Sequence, residues 1–436
     1  MSENVSVKDL VRGDLINVSA AANLAFNEQV KALIKSGRQV YHFAFGQSPF
    51  PPPACLKEAL QEFAHAHEYL PMVGIPELRE ELAKFHARYD NLSLNSDNFV
   101  VAPGSKILIY LVMTIFAGDI LLPSPAWTTY VPQSRLAGKE PWILQTQQAQ
   151  GWKLTPETLE EAVAGKGGSS WKLLILTNPG NPSGACYTDE ELEALSVVCR
   201  QRRVIVLSDE IYARLTFSRR HASMAKHYPE GTILTSGFSK CASAGGWRLG
   251  YAHFPTALRS LMAVVISAAS HTYTCAPAPM QYAVAKVLRE NFDELDQYMR
   301  DCATVLEAVG NYCHRELASV GVGGCKSEAG YYFLPDFEVV REGLRARGPA
   351  NGTHMTQSML EEANVALMSA HDFLRPLEEL TTRFCFVCFD GAEALRALKD
   401  HPSQENLSDD FLRQHCLPIV KGIQSLRQWV LKHREQ

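Results

Sequence analysis

The sequence lacks long uncharged hydrophobic runs and has little excess charge of either sign. No stretch approaches the roughly 18 apolar residues of a membrane-spanning helix, and the segment Met-Ser-Glu-Asn-Val-Ser-Val-Lys-Asp at the N-terminus has no apolar signal core. The formal net charge of -5 gives no basic surface of the kind that binds nucleic acid or an anionic membrane. We therefore expect a soluble, cytoplasmic protein whose partners are small molecules, with no nucleic acid and no membrane among them.

The eleven cysteines show no regular disulfide framework and give no support for a zinc site. An odd number of scattered thiols in a long chain favours a reducing compartment. The 436 residues exceed the length at which a single core keeps growing, and 46% of them are hydrophobic. These properties predict two globular domains and exclude a disordered chain.

Short apolar runs alternate with helical patterns from about residue 99 to about residue 290, which predicts crossover units and a mainly parallel sheet. The pattern changes beyond residue 291 to one that predicts a second, mixed domain. The predicted strands of the first domain are 99–102, 119–122, 173–177 and 204–207, together with a short apolar β-type run at 233–234, just before Lys240. The second domain is predicted to contain a helix to about 317, a strand near 331–334, a helix at 355–362 and a strand at 383–389.

The N-terminal part is predicted to contain a helix at 19–37, a strand at 40–45 that closes at Gly46, and a helix at 56–66. Four prolines between residues 49 and 53 make the loop after Gly46 stiff. A glycine at this point could bring its backbone N–H close to a ligand carboxylate or could simply end the strand. The local pattern does not decide between these two interpretations.

Candidate ligand-binding residues follow the ends of the predicted strands, where ligands bind in open parallel sheets. A Gly-Ser-Lys turn opens a helix and could hold phosphate with its free N–H groups, and a tryptophan after the next strand could stack on a flat ring or belong to the core. The residues at these strand ends are Gly104, Trp127, Asn181, Asp209 and Lys240.

Lys240 is followed by small residues, by Gly245 and Gly246, and by an arginine eight positions on, Arg248. Small residues let the backbone approach a ligand, and an arginine can bind a phosphate through two parallel hydrogen bonds. A lysine beside such a site suggests a phosphorylated aldehyde as ligand. The alternative is an exposed lysine in a glycine-rich loop.

Four motifs in a common order resemble those of the fold-type I, pyridoxal-phosphate-dependent aminotransferases of class I/II. They are Tyr-x-x-x-x-Gly-x-Pro-Glu-Leu-Arg from Tyr69, Asn-Pro-x-Asn-Pro-Ser-Gly from Asn178, Ser-Asp-Glu-Ile-Tyr from Ser208, and Ser239-Lys240 with Gly-Trp-Arg-Leu-Gly. The resemblance implies an α/β fold. We expect a large cofactor-binding domain at 61–296, with a mainly parallel seven-stranded sheet between helices. A smaller α+β domain is expected from an N-terminal arm at 19–60 and a C-terminal part at 297–436.

The resemblance also implies roles for single residues. Lys240 would hold the cofactor aldehyde covalently and move the substrate proton, while Asp209 would pair with the pyridine nitrogen. Tyr212 and Asn181 would bind the ring hydroxyl, and Trp127 would stack on the ring and border the substrate. The residues implied at the cofactor phosphate are Gly104, Ser105, Lys106, Ser239 and Arg248, with Tyr69 reaching the phosphate of a neighbouring subunit.

Arg383 matches the arginine that binds the α-carboxylate of the substrate, with the backbone of Gly46 on the other side. The tyrosine that reaches a neighbouring subunit implies a homodimer with a shared active site. The catalytic residues implied are Lys240, Asp209 and Tyr212.

The sequence departs from the family pattern at two places. Gly237 stands where most relatives have a serine that binds the phosphate, so Ser236 or Ser239 would have to replace it. Residues 263–282 contain no arginine that could reach from a partner subunit to bind a second carboxylate of the substrate. Lys106 stands where another subgroup places a cation for this purpose. We therefore expect transamination between aspartate or an aromatic amino acid and a 2-oxo acid such as 2-oxoglutarate.

Two other functions share much of this machinery. A carbon-sulfur lyase, or an eliminase like aminocyclopropane-carboxylate synthase, uses the same cofactor and loses a β or γ group. A regulatory protein could also bind the cofactor without turnover.

Overall fold

The computed structural model describes residues 10–15, 22–164, 171–401 and 407–434. The strands are β1 (Tyr41–His42), β2 (Phe99–Ala102), β3 (Asp119–Ser124), β4 (Trp142–Gln145), β5 (Lys172–Thr177), β6 (Val204–Asp209), β7 (Thr232–Gly237), β8 (Gly250–His253), β9 (Tyr332–Phe333), β10 (Val365–Ala366), β11 (Met368–Ser369) and β12 (Thr382–Cys385).

The α-helices alternate with these strands through the first two thirds of the chain and dominate the last third. They are α1 (Ala22–Lys35), α2 (Ala54–Glu62), α3 (Pro76–Asp90), α4 (Ser105–Ile115), α5 (Tyr130–Leu136), α6 (Pro156–Ala164), α7 (Asp189–Arg202), α8 (Met224–His227), α9 (Arg259–Ser270), α10 (Ala278–Glu290), α11 (Phe292–Ala318), α12 (Arg341–Arg345), α13 (Gly352–Ala363), α14 (Gly391–Asp400), α15 (Asp409–His415) and α16 (Leu417–Arg434).

Seven strands form the central sheet in the order β2-β8-β7-β6-β5-β3-β4. All neighbouring pairs are parallel except the two that involve β8, which runs antiparallel to β2 and β7. The predicted mainly parallel sheet is therefore confirmed.

The middle strand β6 shows why the sheet forms from this sequence. All six of its residues are buried, and successive side chains point to opposite faces. Ile205 and Leu207 pack in the cluster with α4 and α9, while Val204 and Val206 pack in the cluster with α7. Helices on both faces thus account for the continuous apolar run that predicted this strand.

Two small sheets bring the chain ends together. β1 pairs in parallel with β10, and β11, β12 and β9 form an antiparallel sheet. Phe43, just after β1, stacks on Phe384 of β12 with ring centroids 4.5 Å apart. Segments from both ends of the chain therefore build one α+β region, as predicted.

Several element bounds differ from the predicted ones. The predicted strand 40–45 is only β1, because its later residues turn into the loop at Gly46, and the predicted strand 383–389 is β12, which ends at Cys385. The helix predicted at 56–66 begins directly after Pro53. Of the helix predicted at 19–37, residues 19–21 lie outside the described residues and α1 ends at Lys35.

Two strands of the central sheet were not predicted. β4 is a short edge strand and β8 is a four-residue strand with glycine and histidine at its ends, so neither has a long apolar run. The proposed division between residues 296 and 297 falls within the continuous helix α11. No α-helix of the described ranges is long and apolar enough to cross a membrane.

Candidate active site

A cavity of about 680 Å³ lies at the carboxyl ends of the parallel strands, against the small sheets. Twelve of the thirteen residues predicted for the site line it, and only Tyr69 does not. The lining residues are Gly46, Gly104, Ser105, Lys106, Trp127, Asn181, Asp209, Tyr212, Ser239, Lys240, Arg248 and Arg383. The parallel sheet thus brings together residues that are far apart in sequence.

Asp209 is the last residue of β6, and its carboxylate is buried. The Tyr130 hydroxyl donates a hydrogen bond of 2.7 Å to Oδ2 and lies 2.9 Å from the Thr177 hydroxyl. Oδ1 has no hydrogen-bond partner among the described residues. Burial raises the pKa of Asp209 to about 6. A buried carboxylate oxygen without a donor is suited to a protonated nitrogen of a ligand in the cavity.

Tyr130 was not predicted as a site residue. It lies at the start of α5, three residues after Trp127, and its ring packs edge-on against the indole with centroids 5.3 Å apart. Nothing in the local pattern marks this tyrosine, because its role depends on the packing of α5 against the ends of β5 and β6.

Lys240 follows β7, and its side chain reaches across the cavity to the other end of the site. The ammonium donates a hydrogen bond of 3.1 Å to the Gly46 carbonyl and lies 5.8 Å from the Tyr212 ring centroid. Burial, and next the charge of Arg383, lower the pKa of Lys240 to about 8. The fraction of neutral amine near neutral pH, which is the nucleophilic form, is therefore much larger than for an ordinary lysine.

Arg383, on β12, is 1% exposed. Its guanidinium donates to the Ala44 carbonyl at 2.6 Å and to Asn181 Oδ1 at 3.4 Å, while Nε has no hydrogen-bond partner among the described residues. The guanidinium lies between the rings of Tyr332 and Phe373, at 5.0 and 4.6 Å from their centroids.

No carboxylate of the described part of the chain forms an ion pair with Arg383. The Asp372 carboxyl interacts electrostatically with Arg383 but is not hydrogen-bonded to it. A buried cation without a directly bonded counter-ion is unfavourable, and a ligand carboxylate would supply one with two parallel hydrogen bonds. This position is suited to a carboxylate that enters the cavity.

The N-terminus of α4 and Arg248 form a cradle for an anion. Gly104 has a φ of +91°, and a Cβ there would lie 2.3 Å from the Arg248 guanidinium. A Cβ on Gly250 would likewise lie 2.3 Å from the backbone nitrogen of Ser105. The close backbone approach leaves the free N–H groups of the helix beside a fixed arginine, which favours a phosphate.

Gly237 has a steric explanation. A Cβ at this position would lie 2.8 Å from the Leu249 carbonyl oxygen, so the close pairing of β7 with β8 leaves no room for a serine. The Ser236 hydroxyl donates to the Glu210 carbonyl at 3.3 Å and does not line the cavity, whereas Ser239 does. Ser239 is therefore the better candidate to replace the missing hydroxyl.

Lys106 lies beside this cradle, with its ammonium 4.8 Å from the centroid of the Trp127 ring. Burial, and next the charge of Arg248, lower its pKa. The segment between β11 and β12 holds the loop that carries Trp127. The Ala126 N–H donates to the Phe373 carbonyl at 3.1 Å, and the Ser124 hydroxyl donates to the Leu374 carbonyl at 2.8 Å. The segment 373–374 thus contacts both the tryptophan loop and Arg383.

Tyr212 and Tyr332 meet at the small-sheet side of the cavity. The Tyr212 hydroxyl donates to the Tyr332 hydroxyl at 3.0 Å, and the Tyr332 hydroxyl donates to the Gly46 carbonyl at 3.4 Å. Tyr332 was not predicted as a site residue, since an aromatic residue in a short strand is usually part of the core.

Cys385 and Cys388 are separated by two residues, and both are free thiols. Cys385 lies beside Arg383. Burial raises the pKa of Cys385 to about 11 and also raises that of Cys388. Both therefore stay protonated at neutral pH, which makes them poor nucleophiles and poor metal ligands. The described residues contain no cluster of three or more metal-ligating side chains.

Tyr69 lies outside the cavity, between α2 and α3, and is 87% exposed. The structure does not bring it near the cradle of its own chain.

The sheet and the cavity define an α/β enzyme with a lysine, an acid and two arginines at its strand ends. The model of the family "Aminotransferase class I and II" matches residues 38–399. The chain therefore belongs to this family and is a pyridoxal-phosphate-dependent aminotransferase. The family resemblance, the fold class and the cofactor predicted from the sequence are confirmed.

Individual relatives agree with this assignment. An aspartate aminotransferase of Geobacillus stearothermophilus is 30% identical over 369 residues, 83% of this chain and 91% of that protein. The structure of an aspartate aminotransferase of Thermus thermophilus with maleate has a TM-score of 0.80 at 23% identity, covering 95% of this chain and 99% of that one. An aromatic aminotransferase of Pyrococcus horikoshii has a TM-score of 0.76 at 22% identity, covering 93% and 99%. The two structural likenesses concern the fold.

The residues present fit pyridoxal phosphate. The unpaired Oδ1 of Asp209 is available to a pyridinium N–H, and the glycine cradle beside Arg248 has room for a phosphate that a side chain at Gly104 would fill. The lowered pKa of Lys240 suits reaction with an aldehyde.

Proposed function

We propose that the enzyme moves an amino group between an L-amino acid of the aspartate or aromatic type and a 2-oxo acid such as 2-oxoglutarate. The observation that carries this proposal is the buried Arg383, which forms no ion pair within the described ranges and lines the same cavity as Lys240 and Asp209. Both amino acids and 2-oxo acids carry the α-carboxylate that this arginine requires. The aspartate and aromatic aminotransferases among the similar proteins support the choice of side chain.

In this proposal the cofactor supplies an aldehyde that reacts with amines and a ring that withdraws electrons from the substrate. Lys240 would bind the aldehyde covalently until the amine of the substrate displaces it. Its released amine would then move the proton between the α-carbon of the substrate and the aldehyde carbon of the cofactor. Asp209 accepts a hydrogen bond from the ring nitrogen through Oδ1, and the negative charge keeps that nitrogen protonated. Tyr130 holds the other oxygen and orients the carboxylate.

The remaining roles follow the walls of the cavity. Tyr212 and Asn181 bind the ring hydroxyl, and Trp127 covers one face of the ring. The phosphate is held by Gly104, Ser105, Ser239 and Arg248, with Lys106 at the border of this group. Arg383 and the Gly46 backbone bind the α-carboxylate, and Asn181, which already contacts Arg383, borders it.

The side chain of the substrate is proposed to meet Lys106, the cation that borders the cavity next to Trp127. In a panel of amino donors with 2-oxoglutarate, Lys106→Ala should lower kcat/KM for aspartate about tenfold to a hundredfold, because a hydrogen bond to a charged group is lost. It should lower kcat/KM for alanine and phenylalanine much less. Lys84→Ala, which removes an exposed lysine of α3, is the matched control.

This panel tests the proposed function as a whole. A wild-type enzyme that uses neither acidic nor aromatic donors would end the proposed substrate class. An equal decrease in kcat/KM for aspartate and alanine in Lys106→Ala would show that Lys106 does not bind the side chain of the substrate.

A homodimer with a shared active site is also proposed. Its support is Tyr69, whose exposed ring lies outside the cavity of its own chain and is therefore available to a neighbouring subunit. Sedimentation of the active enzyme should give twice the chain mass. Tyr69→Phe should weaken cofactor binding about tenfold, as expected for one hydrogen bond to a phosphate.

Tyr41→Phe serves as the control, since the Tyr41 hydroxyl accepts a hydrogen bond of 3.0 Å from the exposed Gln39 amide and does not line the cavity. A fully active monomer would contradict the shared site.

A further inference from the structure

A ring of hydrogen bonds between three hydroxyl groups and one backbone carbonyl lies in the cavity wall beside Lys240. The Ser48 and Ser243 hydroxyls are 2.6 Å apart, and the Ser243 hydroxyl is 2.8 Å from the Tyr298 hydroxyl. Tyr298 donates to the Pro51 carbonyl at 2.7 Å. Because Ser48 and Pro51 belong to one loop, the four groups close a ring that joins this loop, the lysine loop and helix α11.

The directions of these hydrogen bonds follow from the number of protons. Tyr298 has one hydroxyl proton and gives it to the Pro51 carbonyl, so Ser243 must donate to Tyr298. The proton between the two serines then comes from Ser48, whose oxygen accepts a hydrogen bond of 3.4 Å from the Phe50 N–H. Each hydroxyl proton is used once. Removing one member therefore leaves a neighbour without its partner, and the ring should respond as a unit.

The loop held by this ring begins at Gly46. Its four prolines between residues 49 and 53 restrict the backbone, so that hydrogen bonds at Ser48 and Pro51 also constrain Gly46. A Cβ on Gly46 would lie 1.8 Å from the Tyr332 hydroxyl, which shows how closely this backbone approaches the cavity wall.

The other side of the ring is the lysine loop. Ser243 follows Lys240 by three residues and has a φ of +53°, an uncommon conformation for a residue with a side chain. Lys240 itself donates to the Gly46 carbonyl. The ring and the lysine thus connect the same two loops at two separate points, and Ser48 and Ser243 both line the cavity.

We propose that Ser243 is a positioning residue that, with Ser48 and Tyr298, holds the Gly46 backbone against the lysine loop in the position that binds the substrate α-carboxylate. The inference rests on the proposed function, in which Gly46 and Arg383 bind that carboxylate. None of the three hydroxyls takes part in the chemistry. Their effect should be on binding in the ground state and the transition state equally, so that KM changes and kcat does not.

The first test compares Ser243→Ala, Tyr298→Phe and the double variant in steady-state transamination. Each single variant should raise KM for the amino acid and for the 2-oxo acid about threefold to tenfold, the effect of losing one hydrogen bond. In both, kcat should stay within about twofold of the wild-type value. The double variant should be no worse than the more affected single variant, because the first substitution already opens the ring.

Unchanged KM values, a loss in kcat alone, or multiplied effects in the double variant would overturn the proposal. Ser243→Gly separates hydrogen bonding from backbone strain, because glycine adopts a positive φ freely. It should raise KM as Ser243→Ala does, and a wild-type KM in the glycine variant would contradict the ring.

A second readout does not depend on turnover. Hydrogen-deuterium exchange of the amides of Gly46, Gln47, Ser48 and Phe50 in the purified protein should be about tenfold faster in Ser243→Ala and in Tyr298→Phe. Ser270→Ala, which removes a hydroxyl that donates to the Ser267 carbonyl of its own helix, should exchange like the wild type.

Unchanged exchange in the ring variants would overturn the proposal even if the wild type had a different activity. A wild type without transamination would instead refute the proposed function, so the two failures are distinguishable.

Discussion

Replacing Lys240 with alanine should lower the rate of transamination at least about a thousandfold. Proton transfer by a positioned side chain contributes about a hundredfold to ten-thousandfold, and this variant also loses the covalent attachment of the cofactor. Lys240→Arg should lower the rate of transamination to a similar extent, because a guanidinium keeps its proton at neutral pH. The cavity holds a second lysine, Lys106, which is beside Arg248 and Trp127 and is not placed to substitute.

Reduction with borohydride checks the same prediction chemically. In the wild type the cofactor should be fixed to the peptide that contains Lys240, and in Lys240→Ala no lysine should carry it. Lys226→Ala, which removes an exposed lysine paired with Asp189, should behave as the wild type in both measurements. Label on another lysine in the wild type would contradict the assignment of Lys240.

Replacing Arg383 with methionine should lower kcat/KM at least about a hundredfold for every substrate, because two charge-assisted hydrogen bonds to the α-carboxylate are lost. Arg383→Lys should recover only part of this loss, since an ammonium cannot make the bidentate pair. The stability should change in the opposite direction. A buried guanidinium without a carboxylate is unfavourable, so Arg383→Met should leave the cofactor-free protein as stable as the wild type or more stable.

Arg375 is the matched control for this prediction. It is also buried, but Glu379 binds it through two hydrogen bonds of 2.7 and 3.0 Å. Arg375→Met should therefore lower the free energy of unfolding by about 3 kcal/mol. Urea unfolding of both cofactor-free variants measures the difference. A strong destabilisation by Arg383→Met would contradict the proposal that the partner of this arginine is a ligand carboxylate.

The parts of the site that follow strand ends could be predicted from the sequence. β6 is a buried apolar run, and Asp209 comes at its end, so the rule for ligand positions in parallel sheets places its carboxylate correctly. The same reasoning holds for Asn181 and Lys240. Arg383 could be predicted only from the family resemblance, since its strand is short and a buried arginine has no local pattern.

The residues that the sequence did not reveal act through tertiary packing. Tyr130 reaches Asp209 because α5 packs against the ends of two strands, and Tyr332 and Phe373 enclose Arg383 because three separate segments meet there. The steric reason for Gly237 depends on an antiparallel neighbour, β8, which was itself too short to predict. Periodicity describes one element at a time and carries no information on such contacts.

The most direct measurement is a half-reaction with an amino acid alone. When aspartate is added to the purified enzyme without a 2-oxo acid, the absorbance of the aldehyde form of the cofactor should be replaced by that of the amine form, with one equivalent of oxaloacetate released per active site and no ammonia. Later addition of 2-oxoglutarate should restore the aldehyde form. With cysteine as the amino acid, release of sulfide, ammonia and pyruvate would indicate a lyase, and a folded protein that holds the cofactor but shows no change with any amino acid would indicate a regulatory protein; either result would contradict transamination.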